Sequence, residues 1–209
     1  MAEIKLFTVG FLATNCYVVT TDGEGAVIVD AGGGFDKIKS YLDGLGKKAV
    51  AVLCTHGHFD HVYDAHKWQK YGAKTYIHSA DVELLRNEKQ IIPGRSFAVE
   101  PTEPDVVIED GDVLKIAGMV FETVHTPGHS KGSVCFVLKG QERETVFTGD
   151  TVFYHSYGRT DFYGGNFDEL ISSVEKIVMR EADALFLPGH GESTTAIEER
   201  NFNPILRNI

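Results

Sequence analysis

The chain has 209 residues, 43% of them hydrophobic and 24% charged, which is typical of one soluble globular domain with a substantial core. Its formal net charge of -10, without any basic block, argues against a nucleic-acid-binding surface. No apolar stretch has the length of a membrane span, and the first residues lack the pattern of a secretory signal. We expect a single domain over residues 1–209, cytoplasmic, with a small-molecule substrate, no nucleic-acid or membrane partner, and an oligomeric state that the sequence leaves open.

The three cysteines of the chain are scattered, and each lies in an apolar run that is typical of a strand. Buried, reduced thiols are therefore expected at Cys16, Cys54 and Cys135, without a disulfide.

The first half of the chain predicts strands that alternate with helices. Short β-rich runs over residues 4–9, 15–20 and 26–30 indicate an opening antiparallel meander. The glycine run at 30–34 lacks the Lys-Ser/Thr of a phosphate loop, so we interpret it as a tight turn that lets the backbone approach a site. The next predicted elements are a helix over 35–45 that Gly46 ends, a strand over 49–54, a helix over 61–71, a strand over 74–78, and a helix that Ser79 or Asp81 caps.

A dense histidine motif follows the apolar run 49–54. His56, His58, Asp60 and His61 fall within six consecutive positions. Neutral imidazole and carboxylate are the ligands that zinc, iron and manganese take. Because burying four such groups on one turn is costly without a cation, we interpret the motif as part of a metal site rather than as an exposed loop.

Residues 86–109 interrupt the alternation of strands and helices. They contain Pro93, Gly94, Pro101 and Pro104 and show no sustained periodicity, which predicts a long loop within one continuing core. Loops of this length often form the lip or lid of a site, and a surface excursion without function is the alternative.

The second half predicts more strands and one strong helix. A hairpin over 113–116 and 119–124 is followed by strands over 133–138 and 145–148 and a loop over 151–166. A last strand is expected over 184–187, then a short tail over 192–209 with one or two helical turns. The helix between them has one apolar stripe, formed by Phe167, Leu170, Ile171, Val174, Ile177 and Val178.

Candidate ligands follow four of the predicted strands. The strand over 49–54 leads to the histidine motif, and three later strands lead to His129, Asp150 and His190. Because ligands gather beyond the carboxyl ends of strands in such sheets, we expect all seven side chains to converge. Seven ligands exceed one tetrahedral zinc and suit two metals that share a carboxylate. Asp150, which follows a strand of its own, is the predicted bridge.

These motifs resemble those of the metallo-β-lactamase superfamily. The resemblance rests on the pattern His-x-His-x-Asp-His from His56, then His129, Gly149-Asp150 and Pro188-Gly189-His190, and it covers nearly the whole chain. It implies an α/β (α+β) fold, a four-layer αββα sandwich of two mixed sheets with helices outside and the metals at one edge. It implies two divalent ions per chain, with zinc expected first and iron or manganese also suited. One ion would be held by His56, His58 and His129, the other by Asp60, His61 and His190, with Asp150 shared.

Within that superfamily the chain looks most like the glyoxalase II group, the hydroxyacylglutathione hydrolases. Asp150 occupies the place where true metallo-β-lactamases have Cys, so antibiotic hydrolysis is not expected. The stretches 149–153 and 158–161 look like those of short, single-domain bacterial glyoxalase II relatives. Longer members add a C-terminal helical domain that contacts glutathione, whereas this sequence stops soon after His190, and Asp161 falls where a Tyr is expected. These two departures concern glutathione specificity rather than hydrolysis.

The expected reaction is hydrolysis of a thioester by metal-activated water. Two cations lower the pKa of a bridging water from about 15.7 toward neutrality, so that a hydroxide attacks the thioester carbonyl without a Ser or Cys nucleophile. Asp60 and Asp150 are the predicted catalytic carboxylates beside that hydroxide. Arg159 is the predicted anchor for a substrate carboxylate, and a salt bridge to Asp161 is the alternative.

The remaining histidines and aromatic residues have secondary predicted roles. His125 and His155 are expected to support the site or the fold, and His66 and His78 to be ordinary helix and strand residues. Four aromatic side chains are expected to wall the pocket or to pack the loop 151–166, namely Tyr154, Tyr157, Phe162 and Tyr163.

Three other functions stay open. A persulfide (sulfur) dioxygenase would use one iron on His56 or His58 with His129 and Asp150, although the other three ligands are intact. A phosphodiesterase or nuclease uses the same ligands, but the acidity of the chain argues against it. A non-catalytic metal-binding or sensing module would leave an open two-metal site without use.

Overall fold

Two six-stranded sheets form the framework of the computed structural model, which describes residues 1–87, 89–92 and 95–208. The strands of the first half are β1 (Glu3–Val9), β2 (Thr14–Thr20), β3 (Gly25–Val29), β4 (Lys48–Leu53), β5 (Lys74–His78), β6 (Lys89–Ile92), β7 (Arg95–Ala98) and β8 (Val106–Ile108). The first sheet has the order β1-β2-β3-β4-β5-β8. It is antiparallel from β1 to β3 and parallel from β3 to β8, so the predicted opening meander is confirmed.

The second half builds the other sheet. Its elements are β9 (Val113–Ile116), β10 (Met119–His125), β11 (Val134–Leu138), β12 (Thr145–Gly149), the hairpin β13 (Val152–Phe153) and β14 (Ser156–Tyr157), then β15 (Leu185–Pro188) and β16 (Thr194–Thr195). The sheet order is β16-β15-β12-β11-β10-β9, and β12 and β15 run parallel. Both sheets are therefore mixed, as predicted.

Helices cover the outer faces of both sheets. They are α1 (Phe35–Gly44), α2 (Phe59–Val62), α3 (Ala65–Tyr71) and α4 (Val82–Arg86) in the first half, then α5 (Phe167–Val178) and α6 (Ala196–Phe202). Short 3₁₀ turns precede α4 at Ser79–Asp81 and follow α6 at Pro204–Asn208. None of the helices in the described residues is long and apolar enough to cross a membrane.

The alternation of side chains along the central strands explains the layers. In β3, Ala26 and Ile28 pack toward the helices of the first half, whereas Val27 and Val29 pack toward the second sheet. The second sheet contributes Phe121, Phe136 and Phe147 to that central core, while α5 covers its other face. Strands buried on both faces read as continuous apolar runs, and here they produce the predicted four-layer αββα sandwich.

The prediction of one continuous helix over 61–71 is wrong in one respect, because the helix is interrupted between α2 and α3. Asp64 leaves the helical geometry, and its backbone N–H donates to the carbonyl of Ala31 at 2.8 Å. Its carboxylate accepts a hydrogen bond from the backbone N–H of Phe35, the first residue of α1, at 3.0 Å. Through these two hydrogen bonds, the segment between the helices connects the histidine motif to the glycine turn.

The prediction of a loop over 86–109 is also wrong in part. This stretch contains the hairpin of β6 and β7 and the edge strand β8, which pairs in parallel with β5. Pro93 and Gly94 lie outside the described residues. Asn87, at the end of α4, borders the cavity described below, whereas the role of the stretch as a lip or lid stays a prediction.

The helix α1 ends one residue before the predicted end at residue 45. Ile38 and Leu42 are buried, but Leu45 is 46% exposed because the helix ends at Gly44 and Leu45 lies beyond it. Gly46 follows with a positive φ of 66°, which supports its predicted role as the stop. In α5, Leu170, Val174, Ile177 and Val178 are buried, whereas Phe167 is 42% exposed. The three cysteines are buried and free, as predicted.

Substitution of two leucines three positions apart tests this description of α1. Leu42→Ala removes a side chain that is 1% exposed, so we expect it to lower the free energy of unfolding by about 2–5 kcal/mol. Leu45→Ala, at 46% exposure, should change it by less than about 1 kcal/mol. Urea unfolding of both variants measures the difference, and equal losses would show that the helix does not end at Gly44.

Candidate metal centre

All seven predicted ligands lie at one edge of the sandwich, just beyond the ends of strands. His56 and His58 follow β4, Asp60 and His61 lie in α2, and His129, Asp150 and His190 follow β10, β12 and β15. Three groups have ligand atoms within 4.8 Å of one another, namely His56, His58 and His129; His56, His61 and Asp150; and Asp60, His61 and His190. The structure therefore brings the whole predicted set together, and we call these seven residues the ligand cluster.

The first part of the ligand cluster consists of three imidazoles. Nε2 of His129 lies 3.2 Å from Nε2 of His56 and 2.8 Å from Nδ1 of His58. On its other side, Nδ1 of His129 lies 2.7 Å from the backbone carbonyl of Arg159, which can only accept, so this nitrogen carries the proton. Burial, with His129 nearby, lowers the pKa of His58 to about 3. The His58 ring is therefore neutral, and one nitrogen of each of the three rings faces the same point.

The second part combines two imidazoles with a carboxylate. Nδ1 of His61 donates to Asp30 at 2.9 Å, and this bond directs Nε2 toward Nε2 of His190 at 3.3 Å. Oδ2 of Asp60 lies 3.2 Å from Nε2 of His190 and accepts a hydrogen bond from the Thr14 hydroxyl at 3.0 Å. Two nitrogens and one oxygen thus converge as a second set of potential metal-ligand atoms.

Asp150 lies between the two parts. Its Oδ1 is 3.3 Å from Nε2 of His61, and its Oδ2 is 3.4 Å from Nε2 of His129. Burial alone raises the pKa of Asp150, but His61 and then His129 outweigh it and hold the pKa well below its usual range. Among the residues that the structure describes, Oδ1 nevertheless has no hydrogen-bond partner although it is buried, which is costly for a carboxylate oxygen.

These observations test whether the cluster fits a pair of divalent cations, and it does. Ligand atoms that face one another at these distances, with a buried carboxylate oxygen that makes no hydrogen bond within the described residues, are the arrangement that cations between them would satisfy. Five imidazoles and two carboxylates are a donor set that zinc, iron or manganese accepts.

Asp30 is a functional residue that the sequence analysis missed. Its carboxylate is 2% exposed and accepts hydrogen bonds from the backbone N–H and the hydroxyl of Thr55, both at 2.8 Å, besides the one from His61. The predicted glycine turn begins at this residue, which has a positive φ of 58°. A lone carboxylate at a strand end, the signal that identified Asp150, was present here too.

Asp81 is the second missed residue, and it connects the two halves of the site. Its Oδ2 accepts from the backbone N–H of Gly57 at 2.9 Å and from the hydroxyl of Ser130 at 2.6 Å. Its Oδ1 accepts from the backbone N–H of Gly132 at 2.7 Å. Asp81 occupies the N-cap position of α4, which is one of the two predicted positions, but its side chain makes no capping hydrogen bond there. The side chain of His78 caps the preceding 3₁₀ turn. Asp81 instead holds two ligand loops together.

Close packing leaves no room for side chains between the ligands. A Cβ at Gly189 would lie 2.3 Å from Oδ1 of Asp150 and 2.6 Å from Cε1 of His61. A Cβ at Gly57, between two ligands, would lie 2.6 Å from Cβ of Leu84. The glycines of the His-Gly-His and Pro-Gly-His motifs are therefore steric requirements of the site.

A cavity of about 600 Å³ opens over the ligand cluster. His58, Asp60, His129, Asp150 and His190 form its floor, and its walls are largely apolar, formed by Leu12, Phe59, Leu84, Phe153, Tyr157, Phe162 and Tyr163. Among the predicted aromatic residues, Tyr154 is not part of this wall and stacks on His155 at 4.0 Å.

Arg159 lies on the wall of the cavity, but its guanidinium has a partner. Nε and one terminal nitrogen donate to the two carboxylate oxygens of Asp161, each at 2.6 Å. The guanidinium also lies 4.0 Å from the centre of the Phe162 ring. The salt bridge named as the alternative is thus present, and the role of Arg159 as a substrate anchor stays a prediction.

The other histidines lie outside the three ligand groups of the described residues. His125 stacks on His78 with ring centres 4.1 Å apart, and Nε2 of His155 bonds to Glu198 at 2.8 Å. These contacts agree with the supporting roles expected for His125 and His155.

Comparison with known proteins agrees with the geometry. The family model described as metallo-beta-lactamase superfamily matches residues 9–190. An uncharacterised protein of Mycobacterium tuberculosis is 40% identical over 97% of both chains. The probable metallo-hydrolase YqgX of Bacillus subtilis is 34% identical over 95% of this chain and 94% of its own length. The hydroxyacylglutathione hydrolase GloC of Haemophilus influenzae is 31% identical over 98% of both.

Solved structures share the fold over nearly the whole chain. The BLEG-1 B3 metallo-beta-lactamase superposes with a TM-score of 0.88 at 32% identity, covering 98% of this chain and 99% of its own. TTHA1623, solved in a di-iron-bound form, has a TM-score of 0.84 at 31% identity, covering 97% and 100%. ETHE1 from Myxococcus xanthus, with a TM-score of 0.79, 22% identity and coverage of 98% and 85%, shows the fold alone.

Asp81→Asn tests the connection between the two ligand loops. The amide places a donor against at least one backbone N–H or hydroxyl donor, so we expect a loss of about 2–3 kcal/mol of stability and weaker metal binding. Asp22→Asn, at an exposed turn, is the control that removes the same charge and should be nearly neutral. Thermal unfolding and metal titration measure both effects, and an Asp81→Asn variant with unchanged metal affinity would contradict the assigned role.

Proposed function

Because the chain belongs to the metallo-β-lactamase superfamily, a superfamily of metal-dependent hydrolases, we propose that it is a two-metal thioesterase of the hydroxyacylglutathione hydrolase type. The observation that carries the proposal is Asp150, a carboxylate of 12% exposure that lies between two complete sets of metal-ligand atoms. GloC, similar to this chain over its full length, is named a hydrolase of this type.

The proposed division of ligands follows the geometry. His56, His58 and His129 would hold one cation, Asp60, His61 and His190 the other, and Asp150 would contact both. A bound pair of divalent cations acidifies water and polarises a carbonyl. The di-iron form of TTHA1623 supports iron as a candidate for the resident metal, beside the zinc expected from the sequence.

The residues of the chain itself would orient the reactants. Thr14 donates to Oδ2 of Asp60, which leaves Oδ1 of that carboxylate free of this bond and able to accept a hydrogen bond from the attacking water. The apolar walls of Phe153 and Phe162 would exclude bulk water from the thioester carbonyl. Arg159 would bind a carboxylate of the substrate in competition with Asp161 for its charge.

A cysteine nucleophile has no place in this proposal. The three cysteines are buried in the core, and none borders the cavity. Burial raises the pKa of the Cys135 thiol to about 11, so it stays protonated near neutral pH. Water is therefore the proposed nucleophile.

A second candidate function is β-lactam hydrolysis. BLEG-1, named a B3 metallo-beta-lactamase, is similar to this chain at 32% identity with nearly complete coverage of both chains. The expectation against this activity rests only on Asp150 in place of Cys, so a β-lactam belongs in the substrate panel. Persulfide oxidation with one iron would leave Asp60, His61 and His190 without a metal ion. The convergence of these three side chains argues against that function.

Metal analysis together with substrate assays tests the proposal. The purified protein should bind about two divalent ions per chain and hydrolyse S-lactoylglutathione. His58→Ala removes a donor of the cluster and should lower kcat/KM by at least about 100-fold, with the loss of one ion. His66→Ala, in α3 and outside the ligand groups, is the matched control and should keep both ions and the activity.

Parallel assays separate the alternatives. Hydrolysis of a chromogenic cephalosporin in preference to the thioester would favour the second candidate. One tightly bound iron, oxygen uptake with glutathione persulfide and no thioester hydrolysis would overturn the proposal.

A further inference from the structure

We propose that a groove beside the cavity binds the anionic end of the substrate's thiol and that Lys131 recognises this anion. The inference rests on the proposed thioesterase function and adds the class of thiol that the site selects. It concerns a part of the structure that the ligand cluster does not occupy.

The groove adjoins the cavity directly. It has a volume of about 930 Å³ and shares Leu84, Asn87 and Tyr163 with the cavity. We call it the outer groove, bordered in addition by Arg86, Lys131 and Gly164. A molecule with its thioester over the ligand cluster can therefore continue past Tyr163 into the outer groove.

The two spaces differ in chemistry. The cavity wall carries apolar side chains such as Leu12, Phe153 and Phe162. The outer groove is bordered by charged side chains, among them Glu83, Arg86 and Lys131. An uncharged acyl group thus suits the cavity, and an ionic group suits the outer groove.

Of the cations that border these two spaces in the described part of the chain, Lys131 is the one without a salt bridge. Arg159 is bound to Asp161, and Arg86 lies 3.1 Å from Glu83 and 2.9 Å from Glu103. Within the described residues, no carboxylate forms a salt bridge with Lys131.

The position of the Lys131 ammonium is partly fixed by its neighbours. Nζ lies 5.8 Å from the centre of the Tyr163 ring, and Tyr163 borders both spaces. The aliphatic part passes close to Gly164, where a Cβ would lie 3.2 Å from Cγ of Lys131. The charge is thus held where the cavity meets the outer groove.

The overall charge of the chain makes a local cation important. A net charge of -10 repels anionic substrates, and one unpaired ammonium at the entrance offsets this repulsion locally. Such an exposed interaction is worth about 1 kcal/mol and is weakened by salt. The anion is a carboxylate, as in a peptidic thiol like glutathione, or a phosphate, as in coenzyme A.

Three thioesters with the same lactoyl group test the inference. Glutathione supplies carboxylates, coenzyme A supplies phosphates, and N-acetylcysteamine is a neutral thiol. For Lys131→Gln we expect the ratio of kcat/KM for an anionic ester to that for the neutral ester to fall about fivefold, through KM. Lys131→Glu should lower the ratio further, and Lys131→Arg should restore it. In the wild type the ratio should decline as ionic strength rises.

Lys115→Gln is the matched control, since it removes the same charge from an exposed position on β9, outside both spaces. It should leave the ratio unchanged. If Lys131→Gln lowers the kcat/KM ratio for the glutathione ester alone, the anion that Lys131 recognises is a carboxylate. If it lowers the ratio for the coenzyme A ester alone, the anion is a phosphate. Either result supports the inference. Equal losses on all three esters, or no change for Lys131→Glu, would overturn it while leaving the thioesterase function intact. A wild type that hydrolyses none of the esters would overturn the proposed function itself.

Discussion

Five imidazoles and two carboxylates share one edge of this protein, and divalent cations between them would satisfy ligand atoms that now face one another. Ring nitrogens of His56, His58 and His129 face each other, and Oδ1 of Asp150 makes no hydrogen bond within the described part of the chain. Many other features of the chain serve to hold this arrangement. Asp30 fixes the ring of His61, and Gly189 leaves space beside Asp150.

The site also depends on the contact between the two halves of the fold. Side chains of β2 extend to the loop of His190, where Asn15 and Tyr17 both donate to the carbonyl of Pro188. Asp81 from the first half binds the loop that carries His129, from the second half. The central core of Val27, Val29 and the facing phenylalanines sets the distance between the sheets. The packing of the core therefore also brings the ligands of the two halves together.

The strands and the ligands were predicted well because both depend on local signals, whereas the four-layer arrangement was implied by the resemblance to the superfamily. Continuous apolar runs revealed strands buried on both faces, and His or Asp after each run revealed the site. The features that escaped prediction depend on partners far away in the chain. Asp30 and Asp81 each bind groups more than 20 positions away, and the break at Asp64 depends on a hydrogen bond to Ala31. The short strand β8 exists because it pairs with β5, which its three residues alone do not indicate.

Anomalous diffraction from crystals of the metal-loaded protein tests the central claim most directly. Data collected on both sides of the absorption edge of the bound metal locate each ion independently of any assay. The account predicts two peaks per chain, one among His56, His58 and His129 and the other among Asp60, His61 and His190, with Asp150 in contact with both. A single fully occupied ion, or two ions that Asp150 does not contact, would contradict it.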